Sequence, residues 1–138
     1  MVLTDHHRHQ IQFSVTGSCE SAYMDPELLR QILVNLLSNA IKFSQPTGKI
    51  DVQLDCLPDH LEFIIMDEGI GIPEEDMHGL FDPFNRAINA MSIPGSGLGL
   101  TIVKNALELC RGTIDIESKL YEGTKVHFMI PFSAKKAD

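Results

Sequence analysis

Asp25-Pro-Glu-Leu-Leu-Arg-Gln-Ile-Leu-Val-Asn35-Leu-Leu-Ser-Asn39-Ala-Ile-Lys42-Phe43 is the stretch on which the fold turns. Asp25 is a capping side chain, and Pro26 stands at the first helical position, where its missing N–H costs nothing. Beyond it the apolar residues fall in two adjacent columns, Leu28, Ile32, Leu36 and Ala40 beside Leu29, Leu33, Leu37 and Ile41. So broad a stripe at helical period predicts an amphipathic helix over 27–43, packed on a flat apolar surface. Gln45-Pro-Thr-Gly48 ends it.

The flat surface comes from the flanking segments. Residues 10–16 alternate, with Ile11, Phe13 and Val15 on one face, which predicts a half-buried strand. Residues 49–56 and 61–66 read as an antiparallel pair joined at Leu57-Pro-Asp-His60, and 113–117 and 125–132 as two final strands. A second helix starts near Leu98 and runs through Ile102, Val103, Ala106, Leu107 and Cys110 to Gly112. One shorter helix is expected near 73–80. Five strands with two long helices on one face predict an α+β, two-layer sandwich.

The composition agrees. A chain of 138 residues with 43% apolar side chains fits one domain with a real core, and disorder throughout is excluded. A formal charge of −8 disfavours unspecific binding to nucleic acid or anionic lipid while leaving room for a local basic pocket. Cys19, Cys56 and Cys110 form no CxxC pair and complete no zinc ligand set, so free thiols in a reducing compartment are expected. No apolar run approaches the ~18 residues of a membrane span, and the start, with its His6, His7 and His9, lacks a secretory signal. A cytoplasmic domain is the expectation, with 1–9 a linker or tail, 10–133 the domain and 134–138 a tail.

Three segments stand apart from this scaffold. Asn35, Asn39 and Lys42, spaced i, i+4, i+7, border the apolar stripe of the first helix. They are either a solvated edge or two oxygen ligands for a hard cation with a lysine for phosphate. Asp67-Glu-Gly69-Ile-Gly71 follows a strand rich in Ile and Met. Its aspartate either caps the strand or is a buried acceptor for an exocyclic amine, with glycines that let a ligand approach. Gly95-Ser96-Gly97-Leu98-Gly99-Leu100 feeds into the second helix. It is a hinge, or an anion cradle at a helix N-terminus, and neither a Walker loop nor a dinucleotide fingerprint. The run 67–99, with Gly69, Gly71, Gly79, Gly95, Gly97 and Gly99, is irregular enough to be a functional lid or binding loop.

Together and in this order, these segments resemble the ATP-binding domain of sensor histidine kinases, in the superfamily of DNA gyrase, the ninety-kilodalton heat-shock chaperones and the mismatch-repair ATPases. Asp25 to Ser44 is similar to the N box, Asp67 to Pro73 to the first glycine box, and Phe81-Asp-Pro-Phe84-Asn-Arg86 to the phenylalanine box. Gly95 to Leu100 resembles the second glycine box, and Glu122-Gly-Thr124 the late Gly-Thr before the last strand. The resemblance spans 10–132 and implies a Bergerat-type fold: a mixed sheet of about five strands, helices on one face, and a flexible ATP lid at 85–96.

It also implies roles. Asp67 would accept from the adenine amine, assisted by the Thr124 hydroxyl. Asn39, with Asn35 beside it, would ligate a Mg²⁺ ion bridging the phosphates. Lys42 would contact phosphate, and Arg86 would approach the γ-phosphate; Asn35, Lys42 and Arg86 form the implied catalytic set. Further nucleotide contacts are implied at Gly69, Gly71, Ile72 and Phe84, and along Gly95, Ser96, Gly97, Leu98, Gly99 and Leu100. Phe81 and Phe84 equally suit ordinary packing beneath the lid. The implied activity is transfer of the γ-phosphoryl group of Mg·ATP to a histidine on a separate dimerisation domain, and from there to a response regulator. The isolated domain would be a monomer, and its parent a homodimer that can be membrane-anchored.

Two departures qualify the likeness. The family's usual Gly-Gly is Arg111-Gly112 here, and Gly112 is expected to supply the left-handed helix cap. The His-His-Arg-His start leads into a strand and resembles no phosphoacceptor hairpin. Gyrase- and chaperone-like relatives carry glutamate where Asn35 stands, and an amide cannot activate water. A nucleotide-binding regulatory module without catalysis, and an anti-sigma-type protein serine kinase, are the alternative readings.

Overall fold

The helix over the deciding stretch begins at Pro26, with Asp25 as its N-cap: the Asp25 carboxylate accepts from the Glu27 N–H at 2.9 Å. The computed structural model describes residues 10–18, 23–44, 48–79, 81 and 99–132. In chain order these form β1 (Gln10–Gly17), α1 (Pro26–Phe43), β2 (Lys49–Cys56), β3 (His60–Asp67), a 3-10 helix (Glu74–Gly79), α2 (Gly99–Leu109), β4 (Thr113–Lys119) and β5 (Gly123–Pro131). The lid expected at 85–96, together with Phe84, Arg86, Gly95, Ser96, Gly97 and Leu98, lies outside the described residues.

The strands form one sheet in the order β1-β2-β3-β5-β4. β1 runs parallel to β2, and every other pairing is antiparallel, so the sheet is mixed as expected. Ile50 and Val52 of β2, Leu61, Phe63 and Ile65 of β3, and Val126, Phe128 and Ile130 of β5 alternate onto one face. There they join Ile32, Leu36 and Ala40 of α1 and Val103, Ala106 and Leu107 of α2 in a single core. In-register Phe63 and Phe128 stack with centroids 4.8 Å apart. The two layers follow from period-2 and period-3.6 stripes meeting face to face.

Three expectations need correction. β1 was to be half buried along Ile11, Phe13 and Val15, but only Ile11 packs on the core, while Phe13 and Val15 are 60% and 50% exposed. β1 is the edge strand away from the helices, which pack chiefly over β3 and, at the opposite edge, β4. Cys56 is disulfide-bonded rather than a free thiol, whereas Cys110 is free and half-buried.

The third correction concerns the end of α2. Arg111, not Gly112, takes the left-handed conformation, at φ 61°. The Gly112 N–H donates to Leu107 O at 2.7 Å and the Arg111 N–H to Glu108 O at 3.2 Å, a Schellman closure. Gly112 is needed for space instead, since a Cβ there would lie 2.6 Å from both Leu107 Cδ2 and Met129 O. An L side chain in this region costs roughly 1–2 kcal/mol, so Arg111→Gly is expected to stabilise the domain by about 1 kcal/mol. Thermal unfolding should register it as a rise of roughly 3 °C; an unchanged or lowered midpoint counts against the strain.

Candidate nucleotide site

Strand pairing assembles the first wall. Asp67, the last residue of β3, lies in register with Thr124 of β5, and Thr124 in register with Ser118 of β4. By alternation all three point to the helix side, beyond the core rows of the same strands. Asp67 Oδ1 is buried, with no hydrogen-bond partner among the described residues. Burial pushes the Asp67 carboxyl up to about 6, with the backbone N–H groups of Gly69 and Thr124 pulling the other way. A buried acceptor left open is costly unless something supplies the missing donor. An acceptor without a partner is what the acceptor reading of Asp67 requires.

The glycine box is wedged between two neighbours. On one side the Ile70 N–H donates to Phe43 O, at the end of α1, and Ser44 bridges Gly69. On the other the Tyr121 N–H donates to Ile70 O at 2.8 Å. A Cβ at Gly69 would sit 2.2 Å from Phe43 O, and one at Gly71 (φ 72°) 2.0 Å from Lys119 O. Both glycines are demanded by this backbone approach. The Ile72 N–H donates to Ser118 Oγ at 2.8 Å, which ties the end of the box to β4.

The helices form the second wall. The Asn35 amide nitrogen donates back to Gln31 O at 2.7 Å, fixing the amide with its oxygen outward. Gly99, first residue of α2, faces both asparagines: a Cβ on it would meet Asn35 Oδ1 at 3.4 Å and Asn39 Oδ1 at 3.7 Å. The start of α2, whose first-turn N–H groups have no intrahelical acceptor, therefore stands beside the Asn35 amide oxygen and the Asn39 amide, whose Nδ2 would lie 3.8 Å from the same Cβ. Thr101 Oγ1 donates to Phe81 O at 2.8 Å, tying the start of the phenylalanine box to the same helix. Lys42 is exposed on the last turn of α1.

Of the expected site residues the structure brings together Asn35, Asn39 and Gly99 at one wall, with Leu100 next along α2. Asp67, Gly69, Gly71, Ile72 and Thr124 meet at the other. Phe84, Arg86, Gly95, Ser96, Gly97 and Leu98 lie outside the described residues, so their expected roles are untouched. Ser118 was missed by the sequence reading. Its signal was available: Ile114, Ile116 and Ser118 share the inward face of β4, and a hydroxyl there must find partners.

The donor set suits a hard cation carried on phosphate. Amide oxygens of Asn35 and Asn39 can each supply one oxygen ligand, and no carboxylate is needed when the anion brings its own. Among the described residues no group of three or more His, Cys, Asp or Glu side chains forms a metal site.

The raised Asp67 carboxyl predicts opposite pH trends. Its folded value, about 6, exceeds the ordinary 3.8, so the folded state holds the proton more tightly between these limits. Stability from this group therefore falls as pH rises through that window. An amine donor needs the ionised carboxylate, so nucleotide affinity should instead fall as pH drops below about 6, by up to about tenfold per unit. Calorimetric titration at several pH values checks this, with Asp67→Asn as the control that flattens the acid limb.

A sequence profile of histidine kinase-, DNA gyrase B- and HSP90-like ATPases matches residues 24–134. The signal transduction histidine-protein kinase/phosphatase MprB of Mycolicibacterium vanbaalenii is 39% identical over 131 residues, 90% of this chain and 27% of that protein. The circadian input-output histidine kinase CikA of Synechococcus elongatus is 41% identical over 109 residues, 78% of this chain and 14% of that protein. The chain thus spans about a quarter or less of these two relatives. Among solved structures, a mycobacterial sensor histidine kinase MprB matches with TM-score 0.79 at 34% identity, covering 91% of this chain and 84% of that one. Full-length ShkA in complex with AMPPNP matches with TM-score 0.77 at 26% identity, over 94% of this chain and 27% of that one.

Proposed function

Because the chain belongs to the histidine kinase-, DNA gyrase B- and HSP90-like ATPase family, we propose that it binds Mg·ATP and donates the γ-phosphoryl group to a histidine on a separate dimerisation domain of a sensor kinase. The observation that carries the nucleotide reading is the buried Oδ1 of Asp67, which has no hydrogen-bond partner among the described residues and which a side chain at Gly69 would crowd, its Cβ falling 2.6 Å away. The ATP analogue held by ShkA supports a triphosphate ligand by likeness.

In this reading Asp67 accepts from the adenine amine, and the Asn35 and Asn39 amide oxygens hold Mg²⁺. The ion, when bound, neutralises phosphate charge. Lys42 and Arg86 meet phosphate as cations, and the start of α2 offers N–H groups to the anion. Phosphoryl transfer asks chiefly for positioning and charge neutralisation, which this set supplies without a strong base. The acceptor imidazole is itself the nucleophile. Asn35 favours transfer over hydrolysis, since an amide takes no proton from water.

The parent is proposed as a homodimeric, multidomain kinase that passes the phosphoryl group to a response regulator. Among the described residues no helix is long and apolar enough to cross a membrane. The test supplies a dimerisation domain carrying a phosphoacceptor histidine, with radiolabelled ATP and Mg²⁺. Acid-labile, alkali-stable label on the supplied histidine supports the kinase. Tight ATP binding without label on any supplied histidine supports a regulatory module, and label on serine the anti-sigma type.

A further inference from the structure

Among the described residues the hydroxyl of Ser118 has three hydrogen-bond neighbours, and they account for everything it can do. It donates to Gly123 O at 3.0 Å, because a carbonyl can only accept. It accepts from the Ile72 N–H at 2.8 Å, because an amide N–H can only donate. Its third contact is Thr124 Oγ1 at 2.8 Å. A hydroxyl has one proton and two lone pairs. With the proton given to Gly123 and one lone pair to Ile72, the remaining lone pair must take the proton of Thr124.

From this count we infer that Ser118 is a positioning residue for base selection: by holding the Thr124 proton, it leaves Thr124 only lone pairs to show the base. Beside it stands the open oxygen of Asp67, which accepts when ionised. Asp67, Thr124 and Ser118 are in-register neighbours on β3, β5 and β4, so the floor is a row of acceptors backed by its own proton keeper. A base edge bearing a 6-amino donor suits that floor, and a 6-oxo group opposes it, acceptor against acceptor. The inference rests on the adenine reading of Asp67 and Thr124.

The distinguishing variant is Ser118→Ala. Without the serine oxygen, the Thr124 hydroxyl is free to turn its proton toward the base. ATP and inosine triphosphate, which differ in the 6-substituent and the adjacent ring proton, are titrated calorimetrically against the folded protein with Mg²⁺. The unmodified chain should prefer ATP by about 100-fold. Ser118→Ala should lower that ratio about tenfold, chiefly through tighter inosine triphosphate binding; adding Thr124→Val should remove the gain, and Ser118→Thr should keep the original ratio. Simple structural damage would weaken both nucleotides alike. Should Ser118→Ala fail to fold, Ser118→Cys keeps the volume while surrendering the strong acceptor, with the same expectation.

An unchanged ratio in the folded variant overturns the role of Ser118. If Asp67→Asn nevertheless abolishes the preference, the adenine reading stands and only this inference falls. If the unmodified chain binds both nucleotides equally, the adenine reading fails and the inference with it.

Discussion

Asp67→Asn is expected to weaken ATP binding by about 100-fold, roughly 3 kcal/mol, while leaving the folded protein at least as stable at neutral pH. The two halves have one cause. Burial holds the carboxyl up near 6, so an ionised Asp67 is a cost to the empty protein at pH 7. An isosteric amide removes that cost. The Gly69 and Thr124 N–H groups that now serve the carboxylate would draw the single amide oxygen. The new NH₂ group would then face the adenine amine, donor against donor. Loss of affinity with retained stability separates recognition from folding. Calorimetry and thermal unfolding on one preparation read both; equal ATP affinity in a folded variant removes Asp67 from the base site.

Most of the scaffold was legible because its cues are local. Asp25-Pro26 marked the start of α1 to within one residue, and the twin leucine columns marked its buried face. Strands β2 and β3 were readable as a pair because only a short turn separates them. The parallel pairing of β1 with β2, and the insertion of β5 between β3 and β4, carry no such cue. They are decided by which apolar faces the two helices can cover at once. The same cause lies behind Phe13 and Val15: alternation reveals that a strand has an apolar face, not whether a helix reaches it.

The candidate site was read by a different route. Asn35, Asn39, Asp67 and the glycines were ambiguous singly, each with a plain structural explanation. Their order along the chain resembled a known family, and folding joined the Gly99 end of α2 to the two asparagines. What escaped was the support beneath the site. Ser118 looked like one more strand residue, since its partners Ile72, Gly123 and Thr124 are set by cross-strand register and backbone path. Arg111 escaped because glycine beside it suggested the easier left-handed cap, while Met129 O and Leu107 had already claimed the space at Gly112.

This chain alone is expected to bind ATP yet neither phosphorylate itself at an appreciable rate nor hydrolyse ATP quickly. Transfer requires a nucleophile in line with the γ-phosphate, at an approach of ~3–3.5 Å. His60 and His127 do not meet that need: they lie on the sheet face opposite the helices, alternating with Leu61 and with Val126 and Phe128 of the core. There His60 Nδ1 pairs with Asp59 Oδ1 at 2.6 Å, and His127 Nε2 with Glu62 Oε1 at 3.2 Å. The His6, His7 and His9 cluster lies outside the described residues and leads directly into β1. Hydrolysis requires a group to take a proton from water, and the position beside the start of α2 holds Asn35, whose amide nitrogen is already committed to Gln31 O. Turnover should therefore be on the order of 10⁻³ s⁻¹ or slower, as in phosphoryl-transfer sites without a competent base or arginine finger. Asn35→Glu should raise hydrolysis by at least about tenfold without improving transfer to a supplied histidine, because a base helps water and not an imidazole that is already nucleophilic. Acid-labile label on the isolated chain, at a rate indifferent to an added acceptor domain, would contradict the first half. Brisk turnover by the unmodified chain would contradict the second, and place the base at a residue other than Asn35.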